Sequence, residues 1–154
     1  MMRYSAVFRL TGILWMGSLA ALALAETPLP TPILPDSLHW VSPPQHPTLQ
    51  SAWVLGAETQ PGLYLLRVKL AAGGKIPPHT HPDERVTTVL SGTLFVGFGA
   101  TFDETGMASI PTGAVYVAPA QTPHYVWAKD GAVSYQEMGI GPTGTSFIPA
   151  KSPP

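Results

Sequence analysis

Three histidines carry the chemistry that this sequence offers most plainly. His79 and His81 stand two apart in GGKIPPHTHPDERVTTVLSG, and His124 stands in GAVYVAPAQTPHYVWA. In an extended chain alternate side chains share a face, so the first two imidazoles enter one space. Neutral imidazole is the commonest protein ligand of transition metals, and three of them leave positions open for water or substrate. There is no cysteine, so a metal here is held by nitrogen and oxygen alone. His39 and His46 lie in a proline-rich stretch and read as surface or hydrogen-bonded residues. No GxSxG segment occurs, which argues against a serine hydrolase.

The elements that must position these histidines read as strands. Leu63 to Leu70 alternates Tyr64, Leu66, Val68 and Leu70 against Arg67 and Lys69, the period-two pattern of a strand with one wet face. Further strands are expected at Arg85 to Leu90, Thr93 to Gly99, Ala114 to Ala118, His124 to Ala128 and Ala132 to Met138. Turn signals separate them at Gly73-Gly74, Ser91-Gly92, Asp103 to Gly106, Pro111 to Gly113, Pro119 to Pro123 and Asp130-Gly131. Outside the first 25 residues nothing shows sustained helical periodicity, and the fold class is all-β. From Thr27 to Pro47 seven prolines forbid a helix and favour an extended arm, with one short edge strand expected at Leu38 to Ser42.

Residues 1–25 place Arg3 and Arg9 before an apolar run from Leu10 to Ala25 that ends in Ala23-Leu24-Ala25. That order is the grammar of a secretory signal peptide cut after Ala25; the competing reading is an uncleaved anchor, for which the run is short. The absence of cysteine excludes a lipid anchor. Cleavage removes two of the eight basic residues and none of the nine acidic ones, leaving a net charge of about −3. That balance does not suit nucleic acid, and no stable membrane insertion is expected once the signal is removed. The organisation read from the chain is residues 1–25 signal peptide, 26–52 proline-rich arm, 53–148 barrel domain and 149–154 tail. The location is exported, periplasmic or extracellular.

The residues around the three histidines resemble the two motifs of the cupins. In the first motif a glycine, five residues, HxH, a glutamate and a closing glycine follow one another, and Gly73, His79, His81 and Gly92 take the matching places. In the second, Gly113, Pro119 and His124 match. The resemblance spans Gly73 to Ala128 and implies a small antiparallel β-barrel, the double-stranded β-helix or jelly roll. It implies a divalent transition metal, iron, manganese, nickel or zinc, held by His79, His81 and His124, and it implies a homodimer.

Three departures from that pattern stand out. Gln121 takes a place where glycine is usual and Ala128 one where asparagine is frequent, and both are expected to cost little. The third is Arg85, which stands where the metal-binding glutamate belongs, with Glu84 next to it. A guanidinium cannot ligate a metal and stays charged. A unit charge about 5 Å from a dication, at an effective dielectric of about 20, is repelled by roughly 7 kcal/mol, about five orders of magnitude in affinity. Three arrangements meet this conflict. Arg85 faces inward and holds an anionic substrate; or it is structural and paired with Asp83, Glu84 or Glu137; or a slip of the Pro82 to Glu84 loop brings Glu84 in as a ligand. One of Gln136 and Glu137 must also face inward, and Gln136 is carried with Arg85 as a substrate-binding candidate.

The functional expectation is a metal-dependent protein acting on a small, anionic organic molecule, by the dioxygenase, isomerase, decarboxylase or lyase chemistry that the resemblance implies. No acid–base residue stands out beyond the site. The competing expectation is therefore an exported cupin that binds a small ligand or a metal without catalysis.

Overall fold

The computed structural model describes residues 31–149; the signal-peptide reading and the end of the tail lie outside the described residues. Ten strands form two five-stranded antiparallel sheets. In the first sheet the order is β1 (Leu49–Leu55), β2 (Gly62–Leu70), β9 (Val133–Gly141), β4 (Arg85–Ser91) and β7 (Val115–Ala118). In the second it is β10 (Ser146–Phe147), β3 (Lys75–Thr80), β8 (His124–Trp127), β5 (Thr93–Phe98) and β6 (Ala108–Pro111). Apart from the neighbours β1–β2 and β5–β6, successive strands alternate between the sheets as in a jelly-roll barrel, and the expected fold class holds.

Inward rows of the strands change from apolar to polar along one direction. On β2 the inner row is Leu70, Val68, Leu66 and Tyr64; on β9 it is Val133, Tyr135 and Glu137; on β4 it is Val89, Thr87 and Arg85. Register aligns them: Val68 and Val89 both sit opposite Tyr135, and Leu66 and Thr87 both sit opposite Glu137. The apolar ends join Ile76, Leu94, Val96, Val126 and Ala128 in one buried core. Each such side chain stabilises the fold by roughly 1.5–3 kcal/mol through removal of apolar surface from water. The polar ends meet above that core, where the histidines are.

The strands that differ from the sequence reading have physical causes. β3 carries Pro77 and Pro78, which cannot donate to a ladder, and its register with β8 shifts between Ile76 and His79 to accommodate them. β1 takes up Leu49 to Ala52, which the prolines upstream assign to the arm. The edge strand expected at Leu38 to Ser42 is reduced to a single bridge, Val41 opposite Ser51, after a 3-10 turn at Pro35–Ser37. β6 and β10 are short edge strands, β6 paired with the preceding β5 and β10 with the distant β3.

The closing glycine of the first motif has a backbone reason. Gly92 has φ +77, and a Cβ there would lie 2.5 Å from the Ala132 carbonyl oxygen. Gln121, at the place where glycine is usual, adopts φ 59. The substitution thus puts a side chain in the left-handed region, at about 1–2 kcal/mol, which corrects the expectation that it costs little. The loop keeps its position through a bond from the Gln121 backbone N–H to the His81 carbonyl, 2.8 Å.

Candidate metal centre

His79, on β3, sits directly opposite His124 on β8, and His81 follows two residues after His79 on the same face. All three are buried. Their ring centroids lie 4.3 to 5.1 Å apart, and one ligating nitrogen from each falls within 4.8 Å of the others. The structure therefore brings together the three residues that the sequence singles out.

Backbone carbonyls fix the tautomers. His79 Nδ1 lies 2.7 Å from Pro77 O, His81 Nδ1 2.7 Å from Gly144 O, and His124 Nδ1 3.1 Å from Thr122 O. A carbonyl only accepts, so each Nδ1 donates and each Nε2 keeps its lone pair. His81 Nε2 is buried and has no protein partner. Burial, then the neighbouring His124, holds His79 down to about 3; burial, then Arg85, holds His81 down to about 4; burial lowers His124 as well. At neutral pH the cluster is three uncharged nitrogen donors, one of them an orphaned buried lone pair. This donor set fits a divalent transition metal with positions to spare.

Arg85 faces inward, 5 % exposed, and both of its terminal nitrogens are engaged. Nη1 donates to Glu137 Oε2 at 2.7 Å, while Nη2 donates to Thr143 Oγ1 at 2.8 Å and to Gly144 O at 3.3 Å. Nε is buried without a hydrogen-bond acceptor, 3.9 Å from Asp83 Oδ1. Asp83 in turn accepts from Tyr64 Oη and from Thr143 Oγ1, each at 2.5 Å. Burial opposes the charge on Arg85, but Glu137, Tyr64 and Asp83 outweigh it and raise its pKa. This is the paired arrangement among the three that the sequence allows.

Two other candidates are corrected. Glu84 is exposed on the face opposite its neighbour Arg85, so it is no ligand. Gln136 points to the outer face of β9, where its Oε1 accepts from Arg67 Nε at 3.4 Å, and Glu137 is the inward residue. Tyr64, Thr143 and Gly144 complete the Arg85 network without having been foreseen. Only the inward phase of Tyr64 was visible in the sequence.

A cavity of about 530 Å³ opens over the histidines; its lining includes Arg85, Glu137, Tyr116 and Tyr135, and Pro43 and His46 of the proline-rich arm. His46 thus stands on the cavity wall, its ring 4.8 Å from that of Phe147, not stranded on the surface.

Comparison with known proteins agrees with this geometry. The cupin domain family matches residues 66–135. Germin-like protein 3-1 of Oryza sativa subsp. japonica is 36% identical over 86 residues, 55% of this chain and 38% of that protein. Together these matches show a likeness to cupin domains over the stretch that carries the three histidines and the strands around them. The polyketide cyclase RemF from Streptomyces resistomycificus shares the fold of this chain at a TM-score of 0.65 and 13% identity, over 80% of this chain and 88% of that one. The DMSP lyase DddQ from Ruegeria pomeroyi does so at 0.61 and 17%, over 73% and 61%. The chain spans between a third and a half of the length of the first curated relatives it matches.

Proposed function

We propose that this chain is a metal-dependent cupin that acts on a small, anionic organic molecule inside the barrel. The observation that carries the reading is the convergence of three neutral imidazoles, each with Nδ1 anchored on a carbonyl, on one buried gap in the cavity. His79, His81 and His124 hold the metal, which when bound supplies Lewis acidity or an oxygen-binding position. The apolar floor of Leu66, Val68, Ile76 and Val126 excludes water from beneath the substrate. Glu137 commits Oε2 to Arg85 and offers Oε1 as an acceptor for a substrate O–H or N–H.

The test is turnover of a panel of small carboxylic and enolisable acids by protein loaded with iron, manganese, nickel or zinc, with His81→Ala as control. Turnover lost in the variant supports the enzyme reading. Saturable binding without turnover selects the non-catalytic ligand-binding reading, and neither result with a loaded site contradicts both.

Two further parts of the reading concern context. The basic head, apolar run and Ala23-Leu24-Ala25 exit support export, with a mature chain beginning at Glu26. Among the described residues no helix is long and apolar enough to cross a membrane. A homodimer is supported by the outer face of the first sheet. There Leu55, Leu65, Met138, Val86 and Val117 form an uncharged row across all five strands, with Arg67 and Lys69 of β2 to one side of it, and such a row can meet its own two-fold copy. Light scattering should find a dimer in wild type and a monomer in Met138→Lys; a monomeric wild type overturns this part.

A further inference from the structure

Resting on the metal-site reading, we propose that Arg85 and Glu137 form one charge-compensated unit that sets the metal affinity of the three-histidine cluster. Glu137 supplies the negative charge that the neutral imidazoles lack, and Arg85 holds that carboxylate in place.

The geometry leads there from the strands. Arg85 and Thr87 are successive inward residues of β4, and Glu137 sits opposite Thr87 on the neighbouring β9. The carboxylate therefore reaches the guanidinium along the cavity wall, at 2.7 Å, with Arg85 5 % and Glu137 7 % exposed. Charges so buried escape most salt screening, and both line the cavity that contains the histidines. Asp83, the other carboxylate near Arg85, has both oxygens committed to Tyr64 and Thr143, whereas Glu137 has one oxygen free of Arg85.

This arrangement resolves the conflict posed by an arginine beside a metal site. An isolated guanidinium would repel a dication strongly, but a guanidinium neutralised by its own carboxylate does not. The carboxylate has in effect moved from β4 to β9, and Arg85 is the positioning residue that keeps it there.

The prediction is epistasis in zinc binding. Calorimetric titration with zinc alone should find Glu137→Gln at least about tenfold weaker than wild type, because Arg85 then keeps only the more distant Asp83 as counter-charge and the cavity wall loses its carboxylate. The double variant Arg85→Gln/Glu137→Gln should recover to within about threefold of wild type, because the positive charge that Glu137 had offset is removed with it. Circular dichroism follows folding in each. Glu137→Asp keeps the buried pair charged and covers the case in which Glu137→Gln does not fold; it should weaken zinc by about threefold or more, since the carboxylate is drawn back by one methylene. Wild-type affinity in Glu137→Gln or, where that variant does not fold, in Glu137→Asp overturns the proposal, as does a double variant no better than Glu137→Gln. A wild type that binds no metal removes the metal-site reading itself, whereas a wild type that binds with a flat cycle removes only the role of the pair.

Discussion

His79 and His124 face each other across β3 and β8, with ring centroids 4.3 Å apart, although 45 residues of chain separate them. Two cations at that separation, both buried, would repel strongly, so the fold commits both rings to the neutral state. The anchoring of Nδ1 on Pro77 and Thr122 carbonyls then leaves both lone pairs turned to one gap.

That commitment predicts acid sensitivity of the metal-free protein. The folded-state pKa values of about 3 for His79 and about 4 for His81 lie below the ordinary value of 6.5. The unfolded chain takes up protons as pH falls through 6.5 while the folded chain does not, so stability is full above that pH. It declines from there toward pH 4 and 3, by a few kcal/mol in all. Urea unfolding in the presence of a chelator should show a lower midpoint at pH 5 than at pH 7.5, and His81→Gln should shrink the difference. Equal midpoints would mean that the rings are not buried as neutral bases.

Arg85→Glu writes the glutamate of the first motif back into place, but next to Glu137 and Asp83. Without metal, three carboxylates in one buried cluster repel one another, and the variant should melt below wild type. With a divalent metal it should gain more in melting temperature than wild type does, because ligand binding adds stability in proportion to affinity. A metal-induced shift no larger than that of wild type would show that position 85 does not face the site.

Gln121→Gly should stabilise the chain by about 1 kcal/mol, because φ 59 is costly for glutamine and free for glycine. Thermal unfolding would register this as a higher midpoint with unchanged zinc stoichiometry. A lower midpoint would mean that the glutamine side chain contributes more than its backbone costs.

Gly139→Ala tests the Asp83 network. A Cβ there would lie 2.5 Å from Asp83 Oδ2 and 2.6 Å from Tyr64 Oη, so the Tyr64–Asp83 hydrogen bond must break or shift. A loss of about 1–3 kcal/mol is expected from overpacking and the displaced buried partners. Tyr64→Phe in the same background should add little further loss, since the bond is already gone; full additivity would show that the two positions are independent.

The legibility of this protein in its sequence divides along local and non-local lines. The alternation of Tyr64 to Leu70 and the HxH pair depend on residues two apart, and both are read correctly from a strand's pleat. β3 is hidden by Pro77 and Pro78, which belong to an irregular ladder that only the partner strand reveals. The inward choice between Gln136 and Glu137 turns on strand phase, and a one-residue error exchanges the faces. The sequence shows that Arg85 needs a partner, and Glu137 is one of the candidates. That Thr143 and Gly144 also bind the guanidinium is decided by the path of the chain after β9, which leaves no periodic trace.

The central claim is a metal held by three histidines, and metal content per chain tests it most directly. Purified protein, and metal-free protein reloaded by titration, should contain about one divalent transition-metal ion per chain. His79→Ala, His81→Ala and His124→Ala should each hold a small fraction of that under the same conditions, with circular dichroism unchanged. A wild type that takes up no metal at micromolar concentrations, or single-histidine variants that retain full occupancy, would contradict the account.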